Sequence, residues 1–296
     1  FRRYFRVVHN GENFIVMDAP PANEDSRPFI TVSRLFFDAG LNVPEVIDVD
    51  LEQGYLLLSD LGSELYLGAL NEETVERLYA DALAALAVIQ TCPTADLPLY
   101  DRALLLSEME LFREWLVGRH LDIDLTPAQH AMLDEVFALL ADNELAQPRV
   151  CVHRDYHSRN LMVTTRNNPG ILDFQDAVLG PVTYDLVSLL RDCYIAWPRA
   201  RVEDWALGYR RLALQTGILR EDHEDPDLFL RWFDLMGVQR HLKAAGIFAR
   251  LNHRDGKPGY LADIPRTLSY ITLLADRYSD LAPLCELIED QVVAAI

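Results

Sequence analysis

One segment, "CVHRDYHSRNLMV" (Cys151 to Val163), carries much of the chemistry this sequence offers. His153, Arg154 and Asp155 stand between two apolar flanks that read as strands, and Asn160 follows at the spacing HRDxxxxN. Phosphoryl transfer makes little covalent demand on a protein: the phosphates must be held against a divalent cation, an acceptor hydroxyl placed in line, and its proton accepted. In this spacing the aspartate takes the acceptor proton and the asparagine holds the metal. The next β-like piece, "GILDFQD", supplies Asp173 and Phe174 at the position of a second metal-binding acid. A carboxylate and an amide oxygen suit Mg²⁺, which is hard and keeps phosphate and water as its remaining ligands. A histidine-arginine-aspartate triplet alone recurs by chance; the asparagine offset, the strand-like flanks and the following Asp-Phe make the combination specific.

The elements that must position these residues can be read along the chain. Residues 1–18, "FRRYFRVVHNGENFIVMD", form two β-rich runs around Asn10-Gly11, a tight-hairpin signal. Phe29 to Ala39 reads as a helix ending at Gly40, and short strands are expected at Glu45 to Val49 and Tyr55 to Ser59. Helical spacing then dominates: Glu72 to Gln90, Ala103 to Val117, Pro127 to Ala141, Val182 to Ile195, Arg201 to Gln215, Leu228 to Leu251 and Pro265 to Tyr278. Only Arg149 to Phe174 interrupts it with β-like sequence. These readings predict an α+β chain with a small β-rich lobe, residues 1–62, and a larger helical lobe, residues 63–296. The joint falls at about 59–62.

Composition narrows the function classes. The 296 residues are half hydrophobic, enough for a full core, and their net charge of −19 opposes a nucleic-acid partner. No apolar run approaches the roughly 20 residues of a membrane helix, so no membrane association is expected. Cys92, Cys151, Cys193 and Cys285 show no CxxC or metal-ligand spacing and read as buried free thiols, which points to a reducing cytoplasm. The chain starts at Phe1 rather than Met, so natural residues can precede it.

"HRDYHSRN", "ILDFQDA" and "GPVTYDLVSLLRD" together resemble the aminoglycoside phosphotransferase superfamily of small-molecule kinases, whose usual patterns are HGDxxxxN, an Asp in IDW or IDF, and a later YDLA-like helix. The resemblance implies a bilobal protein-kinase-like fold, ATP and Mg²⁺ as cofactors, and transfer to an alcohol group. It implies Asp155 as catalytic base, Asn160 and Asp173 as metal ligands, and His153 and Asp185 as structural support. It also makes "LLLSDLG" (Leu56 to Gly62) the hinge, with the backbone of Ser59 and Leu61 meeting adenine. "FRRYFRV" and Met236 to Arg266 are similar to the anomeric kinases of bacterial cell-wall recycling, which implies an amino-sugar acceptor, N-acetylmuramate or N-acetylglucosamine, phosphorylated at its C1 hydroxyl. An antibiotic or small-amine kinase is the enzymatic alternative, and a catalytically weak nucleotide-binding scaffold the alternative from another class.

The chain departs from the kinase pattern where a strand lysine and a helix glutamate normally hold the ATP phosphates. Only two lysines are present, the strand reads "FIVMDAP" with Met17 and Asp18 in that place, and the helix from Phe29 to Ala39 has no glutamate. Gly256-Lys257 is no Walker A loop, because Leu251 stands where its first glycine is required. Arginine is the expected replacement: Arg2, Arg3 or Arg6 of the hairpin, or Arg159 of the catalytic loop. Strand alternation sets Arg2 and Arg6 on one face and Arg3 on the other. For the substrate, Arg240, His241 and Lys243 form either a basic face for a sugar carboxylate or an ordinary cationic helix surface. Asp176, Arg191 and Asp192 either reach sugar hydroxyls or, for the last two, make a local helix-end pair. His157 either lines the site or packs within its loop.

Overall fold

The computed structural model describes Arg2–Ile296; Phe1, the first residue of the expected hairpin, lies outside the described residues. Strands β1 (Arg3–His9) and β2 (Glu12–Asp18) pair antiparallel, and the turn between them places Asn10 and Gly11 at φ of 53° and 82°. Two successive left-handed residues give a turn whose twist matches the strands it joins. Helix α1 spans Arg27–Asp38 and buries Phe29, Val32, Ser33 and Phe36, one face at helical spacing. It stops at Gly40, φ 84°, where the Gly40 and Leu41 N–H groups donate to Phe37 and Phe36 carbonyls and satisfy the helix end. Strands β3 (Val46–Asp50) and β4 (Tyr55–Ser59) complete a four-stranded antiparallel sheet in the order β1-β2-β4-β3.

After α2 (Tyr66–Ala69) and α3 (Val75–Thr91) come α4 (Arg102–Leu111), a π-helical turn at Phe112–His120, and α5 (Pro127–Leu145). The β-like interruption resolves into short strands, β5 (Arg149–Val152), β6 (Leu161–Met162), β7 (Gly170–Ile171) and β8 (Val178–Pro181), in two ladders, β5-β8 and β6-β7. Helices α6 (Tyr184–Leu190), α7 (Arg199–Gln215), α8 (Pro226–Asp255), α9 (Ile264–Thr272) and α10 (Ala282–Leu287) follow. Helix α6 is shorter than its apolar run, because Arg191 leaves helical geometry and the Asp192 carboxylate accepts the Tyr194 N–H instead. The terminal helix α10 was not among the expected elements. Among the described residues no helix is long and apolar enough to cross a membrane, and all four cysteines are buried and free.

Two compact units emerge. The first joins Phe1–Pro98 to Val150–Leu179, and the second joins Leu99–Arg149 to Gly180–Ile296. They divide the chain differently from the lobes expected on sequence: residues 63–98 and the catalytic-loop segment share a unit with the β-sheet. The reason is visible in the hydrogen bonds. Leu67 N–H donates to the Ser158 carbonyl and Val163 N–H to that of Glu64, which ties the segment around α2 to the catalytic loop. Tyr156 donates its hydroxyl to the Ala82 carbonyl on α3, 2.8 Å away.

The second unit is built around α8, which is buried on nearly every side from Phe229 to Ala249. Gly246 lies so close to the end of α4 that a Cβ there would stand 2.2 Å from the Leu111 carbonyl carbon. The change from α to π geometry falls at the same point, Leu111–Phe112. His241, fully buried, donates Nε2–H to the Arg191 carbonyl at 2.9 Å and stacks on Tyr270. Burial holds its imidazole neutral, with a pKa lowered to about 3.

Gly246→Ala is therefore expected to cost about 3 kcal/mol, because backbone rather than a flexible side chain must yield; urea unfolding measures it. A histidine whose folded pKa lies below its unfolded value stabilises the fold fully above about pH 6.5 and less as pH falls. His241 accordingly removes about 2 kcal/mol between pH 7 and pH 5, and His241→Gln should lose that share of the acid dependence in the same unfolding measurement.

Candidate active site

The catalytic segment and the Asp-Phe pair converge within the first unit. Asn160 is held by its own backbone, which donates to the His157 carbonyl and accepts from Leu172 N–H at 2.9 Å. Its amide nitrogen donates to the Asp155 carbonyl at 3.0 Å and approaches Asp173 Oδ2 at 3.5 Å, which leaves Oδ1 as the group to offer a cation. Two residues of the site adopt left-handed backbone, Arg154 at φ 76° and Asp173 at φ 63°. Such geometry costs on the order of 1 kcal/mol or more for a residue with a Cβ and persists where its surroundings over-determine it. Position 154 is where the resembling family usually carries glycine, the residue that adopts this conformation freely.

His153 is fully buried between Phe36 of α1 and Tyr156, and its Nδ1 accepts the Asp155 N–H at 3.2 Å. Burial lowers its pKa to about 4, so near neutral pH it is an uncharged acceptor that orients the Asp155 backbone. Phe174 packs against Phe29 at 4.9 Å and Phe36 at 5.9 Å between ring centroids, so α1 clamps the residue beside Asp173. Asn168 ties the turn between β6 and β7 down by donating to Tyr66 and Asp81, each at 2.7 Å.

Charge is concentrated here. Burial first, and then the neighbouring charge of Asp155, raise the Asp173 carboxyl above its usual range, against a 2.9 Å hydrogen bond from Gln175 and the field of Arg2. Asp176 adds to the same negative field. Among the described residues no three or more His, Cys, Asp or Glu side chains cluster to hold a metal by themselves. One carboxylate and one amide oxygen in a negative field nonetheless fit Mg²⁺, which binds chiefly through phosphate and water.

A cavity of about 330 Å³ opens beside these groups, lined by Asn160 and Asp173 on one side and by Ser59, Asp60, Leu61 and Gly62 on the other. Tyr4, Ile15 and Leu58 supply its sheet wall. Ser59 is fixed by Glu45, whose N–H donates to the Ser59 hydroxyl at 2.8 Å.

The hairpin arginines separate. Arg3 pairs with Asp18, its cross-strand neighbour, and remains largely exposed. Arg6 forks onto Asp60 at 2.6 and 3.0 Å and donates to the Gly62 carbonyl at 2.6 Å, so its head group is taken up by the segment bordering the cavity. Burial pushes the Asp60 carboxyl up, but the hydrogen bonds from Arg6 and from Gly62 N–H hold it below its usual value. Arg159 is exposed on the catalytic loop, and His157 is half-buried.

The residues expected to meet substrate in the second unit are interior groups. Lys243 pairs with Glu108 at 2.9 Å and donates to the Tyr184 hydroxyl at 2.9 Å. Arg191 pairs with Asp234 and lies over the Phe233 ring. Arg240 is buried with Nη1 3.8 Å from Cys193 Sγ. The expected cationic helix surface is thus a buried one, because α8 is the unit's central helix and its charges face partners. Asp185 is fully buried in the first turn of α6.

Residues 1–224 match the profile described as the phosphotransferase enzyme family. Over 291 residues the chain is 52% identical to a Pseudomonas putida protein named N-acetylmuramate/N-acetylglucosamine kinase, covering 98% of this chain and 85% of that one. A Pseudomonas aeruginosa protein of the same name is 48% identical over 290 residues, with 97% and 85% covered. Among solved structures, the ethanolamine kinase of Plasmodium vivax superposes with a TM-score of 0.65 at 10% identity, covering 98% of this chain and 84% of that one, a likeness of protein-kinase-like fold alone.

Because Asp173 is raised, its ionisation opposes folding: the neutral form's contribution is complete below about pH 4 and is lost as pH rises through the folded value. Asp173→Asn, which tolerates left-handed backbone, should raise the melting temperature at pH 7 without metal or nucleotide, and the gain should vanish near pH 3.5. Scanning fluorimetry at the two pH values measures both.

Proposed function

The chain belongs to the phosphotransferase enzyme family, and from that premise we propose that it is an ATP-dependent sugar kinase acting on the anomeric C1 hydroxyl of N-acetylmuramate and N-acetylglucosamine. The observation that carries the sugar is the 52% identity, over 98% of the chain, to a protein bearing that substrate pair in its name. The chemistry rests on the carboxylate-amide cluster beside the cavity.

In this reading the cavity takes the nucleotide base, against the backbone of Ser59 and Leu61. Asn160 Oδ1 and the Asp173 carboxylate would hold Mg²⁺, whose chemistry there would be counter-charge to the phosphate oxygens. Asp155 orients the sugar hydroxyl and accepts its proton as the oxygen bonds to the γ-phosphorus. The bond from that phosphorus to the bridging oxygen breaks, and ADP leaves. Neutral His153 fixes the Asp155 backbone and takes no proton, since its pKa of about 4 lies below the working range. Arg159, exposed on the same loop, is assigned to developing phosphate charge, and Asp176 and His157, flanking the metal and base positions in the chain, to sugar hydroxyls. Asp185 is assigned to structural support. Arg191 and Lys243 have buried acidic partners and Arg240 is interior to the same helix core, so a role for these three in holding the sugar would run through groups already engaged inside the second unit.

With Mg-ATP, N-acetylmuramate or N-acetylglucosamine should release ADP and give a sugar 1-phosphate identifiable by ³¹P NMR. Asp155→Asn should lower kcat roughly a hundredfold or more with little change in KM for ATP. Turnover of kanamycin without turnover of either sugar would replace the sugar reading by the antibiotic one, and equal signal from wild type and Asp155→Asn would leave a nucleotide-binding scaffold.

A further inference from the structure

Position 17, where kinases of this fold class place a lysine toward the phosphates, is a fully buried methionine. Register puts Met17 opposite Tyr4 and Ile15 opposite Arg6 on the adjacent strand. Tyr4, Ile15 and Leu58 line the cavity, so this is the cavity face of the sheet. Alternation sets Arg2, next to β1, on that same face. Its guanidinium Nη2 lies 3.3 Å from Glu24 Oε2, with the two side chains 18% and 23% exposed. Its charge acts on the Tyr4 hydroxyl and on the Asp173 carboxylate, while its Nε is buried without a hydrogen-bond partner.

A guanidinium with an unused buried donor, held by Glu24 at the end of the cavity-face strand and with its field reaching Asp173, is set up to receive another anion. Of the three hairpin arginines, Arg3 is turned to Asp18 and Arg6 is engaged by Asp60 and Gly62. We propose that Arg2, held by Glu24, is the cation that meets the phosphate chain of the bound nucleotide, so that a strand-end arginine and a glutamate ahead of α1 replace the usual strand lysine and helix glutamate. This rests on the nucleotide reading of the cavity given above. It makes Arg2 a ligand-binding residue and Glu24 a positioning residue, since the glutamate acts by fixing the guanidinium.

Calorimetric titration with Mg-ATP and, separately, with adenosine tests it. Arg2→Ala should weaken ATP about tenfold or more and leave adenosine unchanged, because only the phosphates are missed. Arg2→Lys should recover part of the loss, since a point charge replaces the fork. Glu24→Gln should weaken ATP by less than Arg2→Ala, with a raised KM for ATP and a nearly unchanged kcat. Exposed Arg34 on α1 serves as control, and Arg34→Ala should bind ATP as wild type does. Equal ATP affinity for wild type and Arg2→Ala overturns the assignment of Arg2 while leaving the kinase reading standing. A wild-type protein that binds neither ATP nor adenosine overturns the nucleotide reading, and this proposal with it. Equal weakening of ATP and adenosine by Arg2→Ala marks a structural role and overturns the proposal too.

Discussion

Asp155 and Asp173 are held close enough to raise the energy of each other's negative charge, and much of the first unit exists to keep them there. Left alone, two such carboxylates would drift apart or take up a proton. Backbone hydrogen bonds and ring packing hold the segments that carry them. Asn160 grips the Asp155 carbonyl, Leu172 grips Asn160, and Phe174 is locked between two rings of α1. Left-handed backbone at Arg154 and Asp173 adds strain of the kind that concentrates at functional sites. Burial and the neighbouring charge of Asp155 make the ionised Asp173 carboxylate costly, and a nearby positive charge would offset that cost.

The second unit handles charge in the opposite way. Asp234 collects Arg191, Arg199 and Arg277 and accepts the Tyr278 hydroxyl at 2.8 Å, and Lys243 meets Glu108 and Tyr184. Buried pairs of this kind add little net stability, yet removing one partner costs about 3–5 kcal/mol because the other charge is stranded. Glu144 is nearly inaccessible with no hydrogen-bond partner on either oxygen, and burial raises its pKa well above the usual range, favouring its neutral form. Around α8 buried charges meet opposite charges, whereas Asp173 lies in the field of other carboxylates.

The difference between these two uses explains what could be read in advance. Asp155, Asn160 and Asp173 were legible because their spacing is local, a short loop and the hairpin after it, so offset nearly dictates proximity. Strand register sets Arg3 opposite Asp18 and Arg6 opposite Ile15, on alternate faces. The partners of Arg2 and Arg6 were beyond such local patterning, since Glu24 and Asp60 reach the hairpin from distant positions in the chain. Arg240, His241 and Lys243 misled for a related reason. Cationic residues at helical spacing look like a surface, and nothing local announces that α8 is enclosed on nearly every side.

By itself the sequence determined the hairpin at Asn10-Gly11, the helix stop at Gly40, and the run of periodic helices, each set by φ preferences or by apolar spacing within a few residues. It brought Asp155, Asn160 and Asp173 together for the same reason. Tertiary structure alone decided which charges are partnered and which stand open. It also joined residues 63–98 to the sheet and catalytic loop, and made Gly246 a contact point for α4. Those outcomes depend on which distant atoms fill the space around a side chain, and electrostatics and packing respond to that distance rather than to separation along the chain.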